Sequence, residues 1–186
     1  MEVVLDQDNS RVVIYRKVFD HDFAELKEEI AWEGEKIFVY GKWCEPNRMR
    51  SGQGELSYSY SGTKIVAKKW TPTVKTVKEV LEKVYGAEIN YVLLNFYPSG
   101  ESQLGYHSDK EKDLAPYKSI YSVSFGASRK FYLKHLDGTL FKTVLHHGDL
   151  LVMEGETQDH FKHSVPKEMK VKEPRINMTF RLLKKE

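Results

Sequence analysis

His107, Ser108 and Asp109 follow an apolar stretch at 91–97 (YVLLNFY) and a Pro-Ser-Gly turn. In extended chain, residues two apart point to the same side, so the His107 imidazole and the Asp109 carboxylate can converge on one ion. A third ligand has to come from elsewhere, and His163, at the start of a late β segment, is the best candidate. Two imidazoles and one carboxylate on one face leave coordination positions open, the arrangement of non-haem Fe(II) oxygenases. A lone His-x-Asp is also common by chance. His21, His135, His146, His147 and His160 read as surface or turn residues.

The segment Arg175-Ile176-Asn177-Met178-Thr179-Phe180-Arg181 alternates in the same way. Read as a strand, it puts Arg175, Asn177, Thr179 and Arg181 on one side and Ile176, Met178 and Phe180 on the other. Two arginines facing the interior of a barrel would be costly without anionic partners. A dicarboxylate is such a partner, because guanidinium forks match carboxylates bidentately. Asn95 and Tyr97, also two apart, could add neutral hydrogen bonds to the same ligand. The pattern fits equally well a sheet whose polar face meets solvent, with both arginines in surface ion pairs.

A third feature is a matter of charge. The formal net charge of +2 argues weakly against a polyanionic partner, but it is unevenly spread. Residues 36–70 carry seven basic side chains against two acids, so the rest of the chain is slightly acidic. The same window holds Phe38, Tyr40, Trp43, Tyr58, Tyr60 and Trp70. Basic residues interleaved with aromatics suit phosphate contact plus base stacking. A solvated hairpin with its rings turned to the core is the plainer reading.

These residues need a scaffold. Asp20 can cap a helix through Phe23, Leu26 and Ile30. A second helix starts near Thr71-Pro72 or Thr73, carries Val74, Val77, Val80, Leu81 and Val84 on one stripe, and stops at Gly86. Beyond it the period changes to two, predicting strands at 91–97, 118–125, 129–135, 139–145, 149–153 and 175–183. Asp137-Gly138 is a hairpin turn between two of them. Many short strands with tight turns predict a double-sheet α+β roll with both helices packed on its outside. At 186 residues one domain is expected. The single cysteine, Cys44, excludes an internal disulfide and a thiolate-rich metal cluster. Without a signal-like start or a membrane-length apolar run, the expected address is intracellular, nucleus or cytoplasm, not secreted.

In combination the motifs resemble those of the AlkB family of Fe(II)/2-oxoglutarate-dependent dioxygenases, over about residues 36–183. They are N-x-Y (Asn95, Tyr97), H-x-D (His107, Asp109), S-x-S-x-G-A-x-R-x-F (Ser122 to Phe131), G-D-L-L-V-M (Gly148 to Met153), H-S-x-P (His163 to Pro166) and R-x-N-x-T-F-R (Arg175 to Arg181). The N-terminal part is most similar to the branch acting on alkylated DNA, including duplex DNA. Two departures stand out: Gln53 where an aromatic is usual, and Lys110 where many members carry an acid.

The resemblance implies a double-stranded β-helix (jelly roll) with two supporting helices. It divides the chain into an N-terminal strand and helix at 1–35, a nucleotide-recognition lid at 36–70, and a helix plus catalytic roll at 71–186. It implies Fe(II) on His107, Asp109 and His163, and 2-oxoglutarate held by Asn95, Tyr97, Arg175, Asn177 and Arg181, with O2 as oxidant. Tyr40 takes the position of a duplex wedge and Tyr60 that of the ring stacking on a flipped base. Lys42, Arg48, Tyr58 and Ser61 belong to the same grip, and Glu111 to the base's exocyclic group. The implied reaction is demethylation of 1-methyladenine or 3-methylcytosine in DNA, with RNA as a second substrate. A monomer with no membrane partner is expected. The alternatives are an oxygenase of the same chemistry acting on a protein side chain, and a catalytically silent nucleic-acid-binding module.

Overall fold

The computed structural model describes residues 1–34, 47–56, 66–110 and 112–184 in full, and the backbone alone of 37–39, 42–44, 58–60 and 63–65. The chain opens with β1 (Glu2–Gln7), β2 (Ser10–Tyr15) and α1 (Phe23–Glu29), followed by β3 (Ile37–Val39), β4 (Lys42–Cys44), β5 (Met49–Gly54), β6 (Tyr58–Tyr60) and β7 (Thr63–Ile65). After α2 (Pro72–Tyr85) come β8 (Tyr91–Tyr97), β9 (Leu104–His107), β10 (Ile120–Gly126), β11 (Arg129–His135), β12 (Leu140–Leu145) and β13 (Leu150–Gly155). A short α3 (Thr157–His160), β14 (Phe161–Val165) and β15 (Arg175–Arg181) complete it.

Two antiparallel sheets face each other. The larger has the order β1-β2-β13-β10-β15-β8-β5, and the smaller β12-β11-β14-β9. Apart from the β1–β2 and β11–β12 pairs, neighbouring strands in these sheets are non-consecutive, as in a jelly roll. The predicted strands therefore stand, within a few residues at their ends. Strands β1, β2, β5, β9 and β14 add to them in the two sheets.

The alternation in β15 decides which way its two faces look. Ile176, Met178 and Phe180 join a core with Leu26 and Ile30 beside α1, and Val74, Val77 and Leu81 of α2, on the outside of the larger sheet. The opposite face, with Arg175, Asn177, Thr179 and Arg181, is buried between the sheets. The two helices thus take up the apolar side of the sheet, and the polar side is enclosed rather than solvated.

The caps show local chemistry at work. Asp22, not Asp20, caps α1: its side chain accepts from the Glu25 amide at 2.9 Å. Asp20 stands two residues too early to reach those amides. Helix α2 begins with Pro at its first position and ends at Gly86, whose φ of 65° is the left-handed conformation that glycine adopts without strain. Its expected stripe is buried at Val74, Val77 and Leu81, whereas Val84 is exposed in the last turn. At the start of α2, Thr71 makes no side-chain cap; instead Glu29 Oε1 accepts from the Thr73 amide and buried Gln53 Oε1 of β5 from the Thr71 amide, both at 2.9 Å. The glutamine that departs from the family pattern thus ties the edge strand β5 to α2.

Candidate metal and cosubstrate site

Strands β9 and β14 lie side by side, and their register sets His107 directly opposite His163. The two rings sit 4.2 Å apart by centroid. Asp109 follows β9 immediately, and its Oδ1 is 3.7 Å from His107 Nε2. One ligand atom from each of His107, Asp109 and His163 lies within 4.8 Å of the others, so the three can share one ion.

The surroundings prepare each ligand. His107 Nδ1 lies 2.9 Å from the Gly105 carbonyl, which can only accept. That bond places the proton on Nδ1 and leaves Nε2 for a metal. His163 is buried against Phe131, and burial, the main cause, pushes its pKa down to about 3. A neutral imidazole is the form that binds metal. Burial, the largest influence, would raise the Asp109 carboxyl, but the Arg181 guanidinium and the His163 and His107 imidazoles together outweigh it and hold that pKa below the ordinary range. Arg181 Nη2 donates to Asp109 Oδ2 at 2.8 Å, with both side chains almost fully buried. The Asp109 amide donates to Gln158 Oε1 at 2.8 Å, which fixes the loop carrying the carboxylate.

The other end of the site is built around Arg175, which is 2% exposed. Its Nη2 donates to Ser124 Oγ at 2.9 Å, and its guanidinium lies 5.3 Å from the centre of the Tyr97 ring. No carboxylate lies within ion-pair distance of Arg175 among the described residues, and burial disfavours its charged form. Asn177 lines the same cavity, but it donates to Ser122 Oγ and the Val123 carbonyl and accepts from Thr179. Arg48, expected at the nucleic acid, has its guanidinium 6.0 Å from the Tyr97 ring.

Among the described residues, Asp109 Oδ1, Asn95 Oδ1, Arg48 Nη1, and Arg175 Nε and Nη1 are buried with no hydrogen-bond partner. Orphaned buried polar groups are costly and usually satisfied. A divalent cation on Asp109 and an anion on Arg175 would satisfy those two residues, so they fit a metal plus a carboxylate cosubstrate. Tyr40, Ser61 and Glu111 lie outside the described residues, as do the side chains of Lys42, Tyr58 and Tyr60. Lys110 is described, and it pairs with Asp159 at 2.8 Å on the surface.

Three supporting residues escaped the sequence reading. Ser124 alternates with Ser122 in the S-x-S-x-G stretch, which was the available signal. Arg129 of the same stretch is buried and donates to the carbonyls of Ser99, Ser102 and Pro166, tying the β8–β9 loop to the β14–β15 loop. Gln158 comes from α3 with no motif around it.

Comparison with known proteins agrees with this geometry. The family model described as 2OG-Fe(II) oxygenase superfamily matches residues 14–181. The chain belongs to that superfamily. It is 35% identical over 189 residues to the human DNA oxidative demethylase ALKBH2, covering 94% of this chain and 72% of the relative, which puts it among the AlkB homologues. It is 38% identical over 189 residues to the Rattus norvegicus alpha-ketoglutarate-dependent dioxygenase alkB homolog 3, covering 92% of this chain and 64% of that one. The solved structure of OsALKBH1 superposes with a TM-score of 0.62 at 20% identity, covering 92% of this chain and 97% of that one, which establishes the shared fold. Among the described residues, no helix of this AlkB homologue is long and apolar enough to cross a membrane.

Proposed function

We propose that this chain is an oxidative demethylase of N-alkylated nucleobases, of the 1-methyladenine and 3-methylcytosine type, acting on DNA and also on RNA. The observation that carries it is a two-histidine, one-carboxylate cluster, buried at Asp109 and His163, sharing a cavity with Arg175, which has no carboxylate within ion-pair distance among the described residues. Fe(II) held by His107, Asp109 and His163, with 2-oxoglutarate and O2, supplies the oxidation of the N-methyl group, which leaves as formaldehyde alongside succinate and CO2.

The protein's own contribution is positioning and water exclusion. Arg175 takes the far carboxylate of the cosubstrate, with Ser124 and Tyr97 fixing its fork. Arg181 stays on Asp109, keeping that carboxylate ionised and adding positive charge near the metal. Asn95 and Asn177 complete the cosubstrate's polar wall.

A methyl inside a base stack cannot reach the metal, so the nucleotide has to be extruded, at a cost of a few kcal/mol that is smaller for a base whose pairing edge is already blocked. Residues 36–70 form the lid that offsets it, with Tyr40 as wedge and Tyr60 and His107 as stacking partners. Base–aromatic stacking is worth about 1–3 kcal/mol per base. Tyr58, Ser61, Lys42 and Arg48 grip the strand, and Glu111 favours a cationic methylated base. The working form is a single-domain monomer in the nucleus or cytoplasm.

A panel of methylated single-stranded and duplex DNA and RNA, with wild type and Tyr40→Ala, tests this reading. Metal-dependent demethylation is expected, with the variant losing more on duplex than on single strands. Equal losses on every substrate would remove the wedge role, and turnover of none would remove the nucleobase reading.

A further inference from the structure

Next to the metal site, outside the cavity of the cosubstrate, lies a cleft of about 310 Å³. Asp109, Gln158 and Arg181 form its inner wall, so it abuts the metal ligands directly. Its outer wall is basic: Lys110, Lys112, Lys118 and Lys184 all line it. Two of these are engaged, Lys110 with Asp159 and Lys118 with Glu88. Lys112 and Lys184 have no acid within ion-pair distance among the described residues; Lys184 Nζ rests on the Lys112 carbonyl at 3.1 Å.

The cleft is built rather than incidental. Its loop is pinned to the segment after β15 by a bridge between Leu114 and Leu183, and by backbone bonds from Ala115 to Leu182 and from Lys184 to Asp113. At the rim stands Tyr117, 69% exposed and held at a φ of 57°. A bulky residue in the left-handed region is strained, and such strain persists where surrounding structure imposes it, often at binding sites. A basic wall with an exposed ring beside it is the composition of a single-strand path, in which lysines meet phosphates and the ring takes a base.

We infer that this cleft binds the nucleic-acid strand flanking the extruded nucleotide, with Lys112 and Lys184 on backbone phosphates and Tyr117 stacked on an adjacent base. The inference rests on the nucleobase reading above. It adds a second contact region, outside residues 36–70 and continuous with the Asp109–Arg181 wall of the site. A strand held there would be anchored on the side away from Arg175, so cosubstrate and nucleic acid would enter from different directions.

The test uses a fluorescein-labelled single-stranded 13-mer carrying one central 1-methyladenine, and the free nucleoside 1-methyl-2′-deoxyadenosine. Binding anisotropy is measured against salt for wild type, Lys112→Glu/Lys184→Glu, and Lys83→Glu/Lys142→Glu, which makes the same charge change on α2 and β12. Each lost phosphate contact lowers the salt slope by about 1. The cleft pair should therefore lose about two in slope and bind the oligonucleotide at least tenfold more weakly at low salt, while the control pair stays near wild type. Turnover of the free nucleoside should be unchanged in both, which also shows that the variants are folded. Tyr117→Gly relieves the strained φ, so a purely structural tyrosine would be improved by it; weaker oligonucleotide binding with retained or higher stability supports the stacking role. Equal slopes for the two charge pairs, or unaltered binding in Tyr117→Gly, would overturn the inference. Failure of wild type to demethylate the 13-mer would instead overturn the nucleobase reading, and the anisotropy still reads the cleft.

Discussion

Arg175 and Arg181 stand at opposite ends of the same face of β15, both nearly inaccessible to water, yet the fold treats them differently. Arg181 is matched by an acid: it donates to Asp109, itself a candidate metal ligand. Arg175 is held by a serine hydroxyl and a tyrosine ring, and two of its nitrogens have no hydrogen-bond partner among the described residues. One guanidinium completes the protein's own electrostatics, and the other, on the function proposed above, is left for the cosubstrate. Identical residues on one strand face can therefore be separated by their neighbours into a brace and a binding group.

The sharpest way to break this distinction is to remove each charge in turn from the metal-free protein. Arg181→Leu strands a buried carboxylate, and breaking such a pair typically costs about 3–5 kcal/mol. Arg175→Leu removes a buried charge that has no acid, so its stability should match or exceed wild type. Urea denaturation of both variants decides it, and similar losses would erase the contrast. Cosubstrate binding should follow a different order. Arg175→Leu gives up charge-assisted bonds worth about 2–3 kcal/mol, which is a loss of roughly 30–150-fold in 2-oxoglutarate affinity by calorimetry.

The metal end also has a pH signature. The His163 pKa lies near 3 in the folded protein, against 6.5 as its ordinary value. Below about pH 6.5 the unfolded chain takes up a proton that the folded site refuses, so metal-free stability falls as pH drops toward 3, by about 1 kcal/mol per pH unit from this one group. Asp109, with its pKa held down, adds to the loss only below the ordinary carboxylate range. His163→Gln should flatten the curve between pH 6 and 4.5, and an unchanged slope would place the imidazole elsewhere. The smallest effect concerns Gln53, far from this chemistry. Gln53→Ala removes one of the two side-chain acceptors at the start of α2 and should cost about 1 kcal/mol of stability while leaving 2-oxoglutarate affinity unchanged.

What the chain announces in advance differs between these regions for a physical reason. The faces of β15 and β8 could be read because a two-residue period separates an apolar side from a polar one, whereas the enclosure of the polar side is made by the second sheet. His107 and Asp109 were readable as an i, i+2 pair, and His163 followed as the best remaining imidazole. Strand β5, Met-Arg-Ser-Gly-Gln-Gly, carries almost no strand propensity, and it exists because β8 offers an edge to pair with. Asp20 and Asp22 are equally plausible caps by type, and only the helix start distinguishes them. The partner of Arg181 could not be read at all, since Asp109 lies 72 residues away and the pairing is made by the roll.

The central claim is that one buried site couples the cosubstrate at Arg175 to a nucleobase methyl at the metal held by His107, Asp109 and His163. It is tested most directly by counting products from a 1-methyladenine oligonucleotide with Fe(II), 2-oxoglutarate and O2 supplied. The account predicts formaldehyde and succinate in equal amounts from wild type and neither from His163→Ala. Succinate without formaldehyde from wild type, or full turnover by His163→Ala, would contradict it.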